Sequence, residues 1–406
     1  MKVLLINNCH FRRGGSEAVY FGTADLLRRM GHDVVFFSME DDRNIHTDCP
    51  EYFVERGGKL SQMKDYFSNA KAARMLEQIL AKETPDIAHV HLFFGGISPS
   101  IFSVLHRHGV PIVHTVHDYR MVCPAYTFRN GQGEVCEKCK GGKFVECFKG
   151  RCSKGSAVQS VLMATEIYYR NRKWHPAKEL DGIIYVSNFA KQKHEEFDDK
   201  FKKTKNAVLY NFTTVGEKYQ PVVKDGGYFL YYGRLSHEKG IETLIETFSR
   251  HPELKLMVVG TGPNEQELRR KNYPNINFLG YKNGSDLYNI VRNARFVCVP
   301  SEWYENNPMT IVEAYSMGVP VIGANIGGIP EIIKEGETGF LFKSGDGNSL
   351  DCILRQSILI PEQKYTLLKR NALRFAEVHF NSKIYSYKLV NFYEEIISNR
   401  INNNRK

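Results

Sequence analysis

Residues 295–331 read RFVCVPSEWYENNPMTIVEAYSMGVPVIGANIGGIPE, and the order of elements inside this stretch decides the architecture. Phe296 to Val299 is an apolar, β-branched run too short for a helix, which predicts a buried strand. A loop follows from Pro300 to Asn307. Pro308 has the fixed φ that suits a helix start, and Met309, Val312 and Met317 then recur at helical spacing until Gly318-Val319-Pro320 stops the run and a second apolar strand begins. Glu305 lies in the loop and Glu313 inside the helix, so two carboxylates can face one crevice from different depths. Paired carboxylate oxygens suit vicinal hydroxyls, although two acids at this spacing also occur on ordinary solvated helices.

The spacing E-x7-E with a helix starting between the acids, followed by GVPVIGANIGGIPEII and E-G-x-T-G-F-L-F, resembles the donor-binding half of family 4 glycosyltransferases. The resemblance implies that Glu305 contacts the transferred sugar and Glu313 the ribose of a nucleotide. It places Asn307, Met309 and Thr310 beside the nucleotide sugar, with the backbone amides of the last two taking developing charge. It also implies the GT-B fold: α/β, two Rossmann-like doubly wound parallel-sheet domains facing a cleft, with a C-terminal helix crossing back to the first domain. The activity implied is retaining, metal-independent transfer from a nucleotide-diphosphate sugar, with no cofactor for catalysis. An Asp-x-Asp metal motif is not found in this stretch.

Working outward, 406 residues exceed what one hydrophobic core organises, so two domains are expected. With 42% hydrophobic and 25% charged residues the composition is that of a soluble globular protein. No stretch approaches the ~18 continuous apolar residues of a membrane helix. Met1 to Asn8 is too short an apolar run for a signal peptide, giving the expectation of a cytoplasmic protein. The 55 basic and 45 acidic side chains leave a net charge of +10. Its distribution is local: residues 138–178, Arg170 included, carry ten Lys or Arg against Glu146 and Glu166. That patch, next to the helical pattern of Val161, Leu162, Ile167 and Tyr168, suggests an anionic membrane surface or acceptor, and no nucleic-acid-binding motif accompanies it.

In the N-terminal half, KVLLIN, HDVVFF, DIAHVH, PIVHTVH and GIIYVS read as strands. Helical patterns separate them around Val19 to Met30, Ser98 to His108, Val158 to Arg170 and from Asn188. Helical crossovers force parallel pairing, and such sheets bind ligands beyond their strand C-termini. Arg12-Arg13-Gly14-Gly15-Ser16-Glu17 separates the first strand from its helix. Adjacent glycines there allow close backbone approach to an anion, or form an ordinary turn; the resemblance makes Gly14 and Gly15 the family's glycine loop. His117 ends a strand where the crevice lies, and HTVHD resembles the family's histidine near the reacting sugar. His114, His89 and His91 read as structural or acceptor-side.

Five of nine cysteines fall in residues 123–152. The spacing of Cys136, Cys139, Cys147 and Cys152 in a reduced compartment points to one structural zinc, with reduced thiols or a disulfide as alternatives. This segment reads as an insertion outside the family motif.

In the C-terminal half, YFLYYG, LKLMVVG and INFLGY are strands, with helices over Ile241 to Phe248, Asn264 to Lys271 and Asp286 to Val291. The loop Gly233-Arg-Leu-Ser-His-Glu-Lys-Gly240 offers Arg234 as a fork and Lys239 as a point charge for phosphate oxygens, and R-x4-K resembles the family's diphosphate clamp. Gly260-Thr261-Gly262-Pro263 is not a dinucleotide fingerprint, because Glu265 occupies the third glycine position. The resemblance makes Gly262 a close-approach position beside the nucleotide. The expected domains are 1–212 for the acceptor, 213–380 for the nucleotide sugar, with a linker from Thr213 to Gly227, and a terminal helix over 381–406. The function expected is sugar transfer to a glycan or polyprenyl-linked glycan of a surface polysaccharide, peripheral on the inner membrane face. A phosphorylase of similar fold and a catalytically silent nucleotide-sugar-binding subunit are the alternatives.

Overall fold

The computed structural model describes residues 1–222 and 224–404. Two wholly parallel sheets organise it. The first holds β1 (Lys2–Ile6), β2 (Asp33–Met39), β3 (Glu51–Val54), β4 (Ile87–Val90), β5 (Ile112–Val116), β6 (Gly182–Tyr185) and β7 (Asn206–Val208), in the order β3-β2-β1-β4-β5-β6-β7. The second holds β8 (Phe229–Tyr232), β9 (Leu256–Val259), β10 (Ile276–Gly280), β11 (Phe296–Val299), β12 (Val321–Ala324) and β13 (Gly339–Phe342), in the order β10-β9-β8-β11-β12-β13. In each sheet the chain runs outward, returns beside its first strand and runs out the other way. The strand order therefore reverses between β1 and β4, and again between β8 and β11, and such switch points open a crevice at the strand C-termini.

Alternation along the second sheet explains why its strands are apolar throughout. Leu230, Tyr232, Val297, Val299 and Val321 point to one face, where Ile311, Val312 and Tyr315 of helix Met309–Ser316 cover them. Phe229, Tyr231, Phe296, Cys298 and Ile322 point to the other, under Ile241, Leu244 and Phe248 of helix Ile241–Phe248. Both faces are buried, as crossover helices require. Strand β3 and helices Lys59–Phe67, Ala70–Glu83, Gly347–Ile358 and Glu362–His379 are additions to the sequence reading. Strand β3 is short, pairs only with β2 and is largely half-exposed, so it lacks the apolar run that marks a central strand.

The chain divides into two compact units, Met1–Leu209 with the segment from Tyr385 onward, and Tyr210–Ile384. The division precedes the expected linker, within which Val223 lies outside the described residues. Tyr210 and Asn211 belong to the second unit for a reason visible in its hydrogen bonds. The Tyr210 hydroxyl donates to Glu331 at 2.6 Å, and Asn211 bonds twice to Asn307. The terminal helix Ser382–Asn404 crosses back onto the first unit, and residues 405–406 of its expected span lie outside the described chain. There Tyr393 hydrogen-bonds His89 at 2.6 Å in the core and Arg400 Nη1 donates to both carboxylate oxygens of Asp181, at 2.9 and 2.7 Å. Among the described residues no helix is long and apolar enough to cross a membrane.

Gly182 permits that docking, since a Cβ there would lie 2.9 Å from both Ile396 and Phe392. Gly182→Val is expected to destabilise the chain by about 1–3 kcal/mol through overpacking, read as a lower thermal midpoint. An unchanged midpoint would show that the helix is not seated on β6.

Candidate functional site

The switch point between β8 and β11 gathers the residues singled out in the second half. The loop after β8 makes a single 3-10 turn, His237–Lys239, and Gly240 then takes φ +67° to start the next helix. A Cβ at Gly240 would fall 1.9 Å from the Pro300 carbonyl, so only glycine lets this loop lie against the one after β11. The Glu302 amide bonds the Glu238 carbonyl at 2.9 Å, fixing the two loops in register.

Glu305 is the centre of the arrangement. It is buried, and its Oε1 accepts from Lys239 Nζ at 2.6 Å, Trp303 Nε1 at 2.8 Å and Ser301 Oγ at 2.9 Å. Burial pushes its pKa up, but the Lys239 ammonium and the Trp303 and Ser301 donors outweigh it and hold the carboxyl below the ordinary range. Glu305 is thus ionised and already oriented. Lys239, expected at a diphosphate, spends its charge on Glu305 and lies 5.0 Å from the Trp303 ring centroid. Arg234 is exposed, with its backbone carbonyl held by the Tyr231 hydroxyl at 2.7 Å.

Glu313 sits one turn into helix Met309–Ser316, half-buried, and desolvation pushes its carboxyl up to about 7, against a smaller lowering by the Tyr232 hydroxyl. Met309 and Thr310 are the first two residues of that helix, both half-buried, so their amides have no carbonyl one turn back within the helix. Asn307 also has a structural part. Its Oδ1 accepts from the Asn211 amide at 2.9 Å and its carbonyl accepts from Asn211 Nδ2 at 2.7 Å, so it braces the chain's entry to this unit. At Gly262 a Cβ would lie 2.2 Å from the Leu235 carbonyl, so this glycine lets the chain after β9 lie against the loop of Arg234.

In the first unit His117 follows β5 and His91 follows β4, side by side at the strand C-termini. His91 Nδ1 and His117 Nε2 are 2.8 Å apart, and burial pushes His117 down to about 4, so the pair is neutral near pH 7. His114 Nδ1 donates to the Val90 carbonyl at 2.9 Å, and His89 is held between Thr115 and Tyr393, so both are core residues. Gly14 precedes helix Gly15–Arg29 with φ −171°, an extended conformation that any residue adopts. The Gly14 backbone therefore does not by itself demand glycine.

All nine cysteines are free. The Cys147 thiol bonds to Cys152, which raises the first and lowers the second, and Cys136 bonds Cys152 as well. Cys139 lies near enough to Cys123, Cys152 and Cys136 to feel their charge, though burial is the larger cause of its rise. The expected ligands are neighbours, yet among the described residues no group of three or more His, Cys, Asp or Glu side chains is placed to hold a metal ion. Sequence reasoning missed Trp303 and Ser301 as partners of Glu305, and His91 as partner of His117. The first pair stands two and four residues before the acid, and His91 shares with His117 its position just past a strand end.

The raised Glu313 carboxyl predicts a pH dependence with a definite sign. A folded pKa above the unfolded one means that the native state binds more protons, so stability falls as pH rises from about 4.5 to about 7 and is flat above. Glu313→Gln should leave stability unchanged at pH 4 and raise it by about 1–3 kcal/mol at pH 8, measured by denaturant unfolding. Equal stability of the two proteins at pH 8 would show that Glu313 is not desolvated.

Comparison with known proteins agrees with this geometry. The model of Glycosyltransferase Family 4 matches residues 13–215 and that of Glycosyl transferases group 1 matches residues 217–373. The chain is 30% identical over 364 residues to a sulfoquinovosyl transferase of Arabidopsis thaliana, covering 83% of this chain and 62% of that relative's length. It is 23% identical to the capsular polysaccharide biosynthesis glycosyltransferase CapM of Staphylococcus aureus, covering 93% of each. Among solved structures, a sucrose-phosphate synthase of Thermosynechococcus elongatus superposes with TM-score 0.73 at 18% identity, over 98% of this chain and 99% of that one. Anabaena HepE, solved with UDP-glucose, superposes with TM-score 0.69 at 18% identity, over 97% and 100%. With parallel sheets that reverse at β1/β4 and β8/β11 and both halves matched, the chain belongs to the family 4 glycosyltransferases of GT-B fold.

Proposed function

We propose that this chain is a retaining, metal-independent glycosyltransferase that moves a sugar from a nucleotide-diphosphate donor to a glycan or polyprenyl-linked glycan acceptor in surface-polysaccharide synthesis, working peripherally at the inner membrane face. The observation that carries the donor half is Glu305, a buried carboxylate kept ionised by Lys239, Trp303 and Ser301 beside an uncapped helix start. An ionised, fixed acceptor suits sugar hydroxyls, and it gains strength from exclusion of water. Arg234 and the amides of Met309 and Thr310 take the charge that develops on the departing diphosphate; preorganised donors of this kind contribute ~3 kcal/mol each to lowering the barrier. Lys239 sustains Glu305 and so acts on the sugar side. Glu313 holds the ribose, and its carboxyl must lose its proton to accept from a diol. His117, neutral through burial, serves as a hydrogen-bonding group and not as an acid. HepE binds UDP-glucose and CapM belongs to capsular polysaccharide biosynthesis by their names, which supports the donor class and the acceptor class respectively.

We also propose that Cys136, Cys139, Cys147 and Cys152 close around one structural zinc, supported by four neighbouring free thiols in a turn-rich segment. Protein purified without a His tag should contain about one zinc per chain by metal analysis. Metal-free wild-type protein, matched in stability by a Cys136→Ser, Cys139→Ser variant, would remove the metal from the reading.

Arg234→Ala is the clean test of the leaving-group role, because the side chain is exposed and its loss costs the fold little. Turnover of the donor, measured first as acceptor-free hydrolysis of nucleotide sugars, should fall by about a hundredfold at unchanged thermal midpoint. Wild-type turnover in the variant would refute the clamp, and absence of any turnover in the wild type across nucleotide sugars would favour a silent binding subunit. Lys239→Ala should cost both activity and stability, the latter by about 3–5 kcal/mol, because it strands a buried carboxylate. Adding Glu305→Gln should recover much of the stability and none of the turnover.

A further inference from the structure

Helix Ala157–Lys173 buries an ion pair and leaves several apolar side chains exposed. Its inward side carries Ser160, Ala164, Glu166, Ile167 and Arg170, while Val158, Val161, Tyr168 and Tyr169 face solvent, Val158 at 81% exposure. Val158, Val161, Thr165, Tyr168 and Arg172 follow one another at three- and four-residue steps and so form one stripe, apolar at Val158 and Val161 and basic at its C-terminal end. Arg170, counted in the basic patch from sequence, is instead buried, paired with Glu166 at 3.0 Å and donating to the Arg120 carbonyl. The Arg170–Glu166 pair is thus spent inside, while Val158, Val161, Tyr168 and Tyr169 share the outer side with Gln159, Thr165, Arg172 and Lys173. The short helix Val145–Lys149 packs beside it and adds Val145 and Phe148, both more than two-fifths exposed.

Around these side chains the exposed charge is mainly positive, with Glu134 the exposed acid among residues 134–154. Lys138, Lys140, Lys143, Arg151 and Lys154 are exposed, whereas the nearby acids are engaged, Glu146 by Lys149 at 2.6 Å and Glu137 by Lys193 at 2.8 Å. Apolar side chains exposed on two packed helices and rimmed by polar residues mark an interaction surface. A second copy of this chain would bring like charge onto like charge. A bilayer with anionic headgroups satisfies both features, since apolar side chains enter the acyl boundary while lysines meet the phosphates.

We propose that this face is a membrane-docking surface, with Phe148, Val158 and Val161 inserting at the headgroup boundary of an anionic bilayer and the flanking lysines pairing with lipid phosphates. The proposal rests on the reading of a chain working peripherally at a membrane face but is measured without donor or acceptor, so loss of vesicle binding overturns the docking face and that location, while loss of sugar transfer overturns the transferase reading.

The full chain is sedimented with vesicles of phosphatidylcholine alone and with one-third phosphatidylglycerol. Binding should require the anionic lipid and weaken at high salt. A Phe148→Glu, Val158→Glu variant and a Lys143→Glu, Lys154→Glu variant should each bind at least tenfold more weakly, with wild-type thermal midpoints, since all four side chains are exposed. Phe148→Ser with Val158→Ser, which adds no charge, should also weaken binding and separates lost insertion from added repulsion. No sedimentation at low salt, equal binding to neutral vesicles, or unchanged binding by the serine variant would each overturn the proposal. A concentration-dependent dimer abolished by these same substitutions would overturn it in favour of a protein interface.

Discussion

The second unit is built around one buried charge. A carboxylate removed from water must be paired and hydrogen-bonded or it takes up a proton. Glu305 meets that requirement with an ammonium from the loop after β8 and with Trp303 and Ser301 from its own loop. The pairing needs β8 and β11 to be neighbours, and the reversal of strand order at that point makes them so. It also needs the two loops to touch, which Gly240 allows by placing no Cβ against the Pro300 carbonyl. The fold and the charge state of one oxygen pair are therefore a single problem. The second carboxylate is treated oppositely: desolvation of Glu313 outweighs the Tyr232 hydroxyl beside it, so its proton is held to about pH 7.

The first unit follows the reverse logic. Its strand ends carry imidazoles in place of an ion pair, and burial keeps them neutral. His91 and His117 exchange one hydrogen bond between adjacent strands, while His89 is tied to Tyr393 of the terminal helix. The same helix lays Phe392 and Ile396 against Gly182 of β6. The last residues of the chain thus complete the core built by the first two hundred, and the first unit is discontinuous in sequence for that reason.

Between β5 and β6 the chain leaves this economy. The cysteine-bearing turns and helix Ala157–Lys173 bury polar groups such as the Arg170–Glu166 pair and expose valines and tyrosines. A helical hydrophobic pattern normally marks the face turned to the core. Here only part of it does: Ile167 is buried, Leu162 is half-buried and Val161 is exposed. The charge pattern of residues 138–178 and the apolar pattern beside it were both visible in the sequence, but which of those apolar residues face solvent was not.

The sequence by itself determined the alternation of strand and helix, the parallel pairing that follows, the existence of two sheets, and the identity of the loops that carry Arg234, Lys239, Glu305 and His117. Those features depend on local periodicity and on residue types, which a linear reading registers. It also carried the likeness of residues 295–342 to a donor-binding half. Only the tertiary structure decided partners: that Lys239 neutralises Glu305, that Gly262 makes room for Leu235, that Asn307 braces Asn211, and that Arg170 is buried. These pairs are separated by up to about a hundred residues of chain, and nothing in local propensity encodes which strands become neighbours at a switch point. The edge strand β3 escaped for a related reason, since half-exposed residues at a sheet margin carry little of the hydrophobic signal by which strands are read.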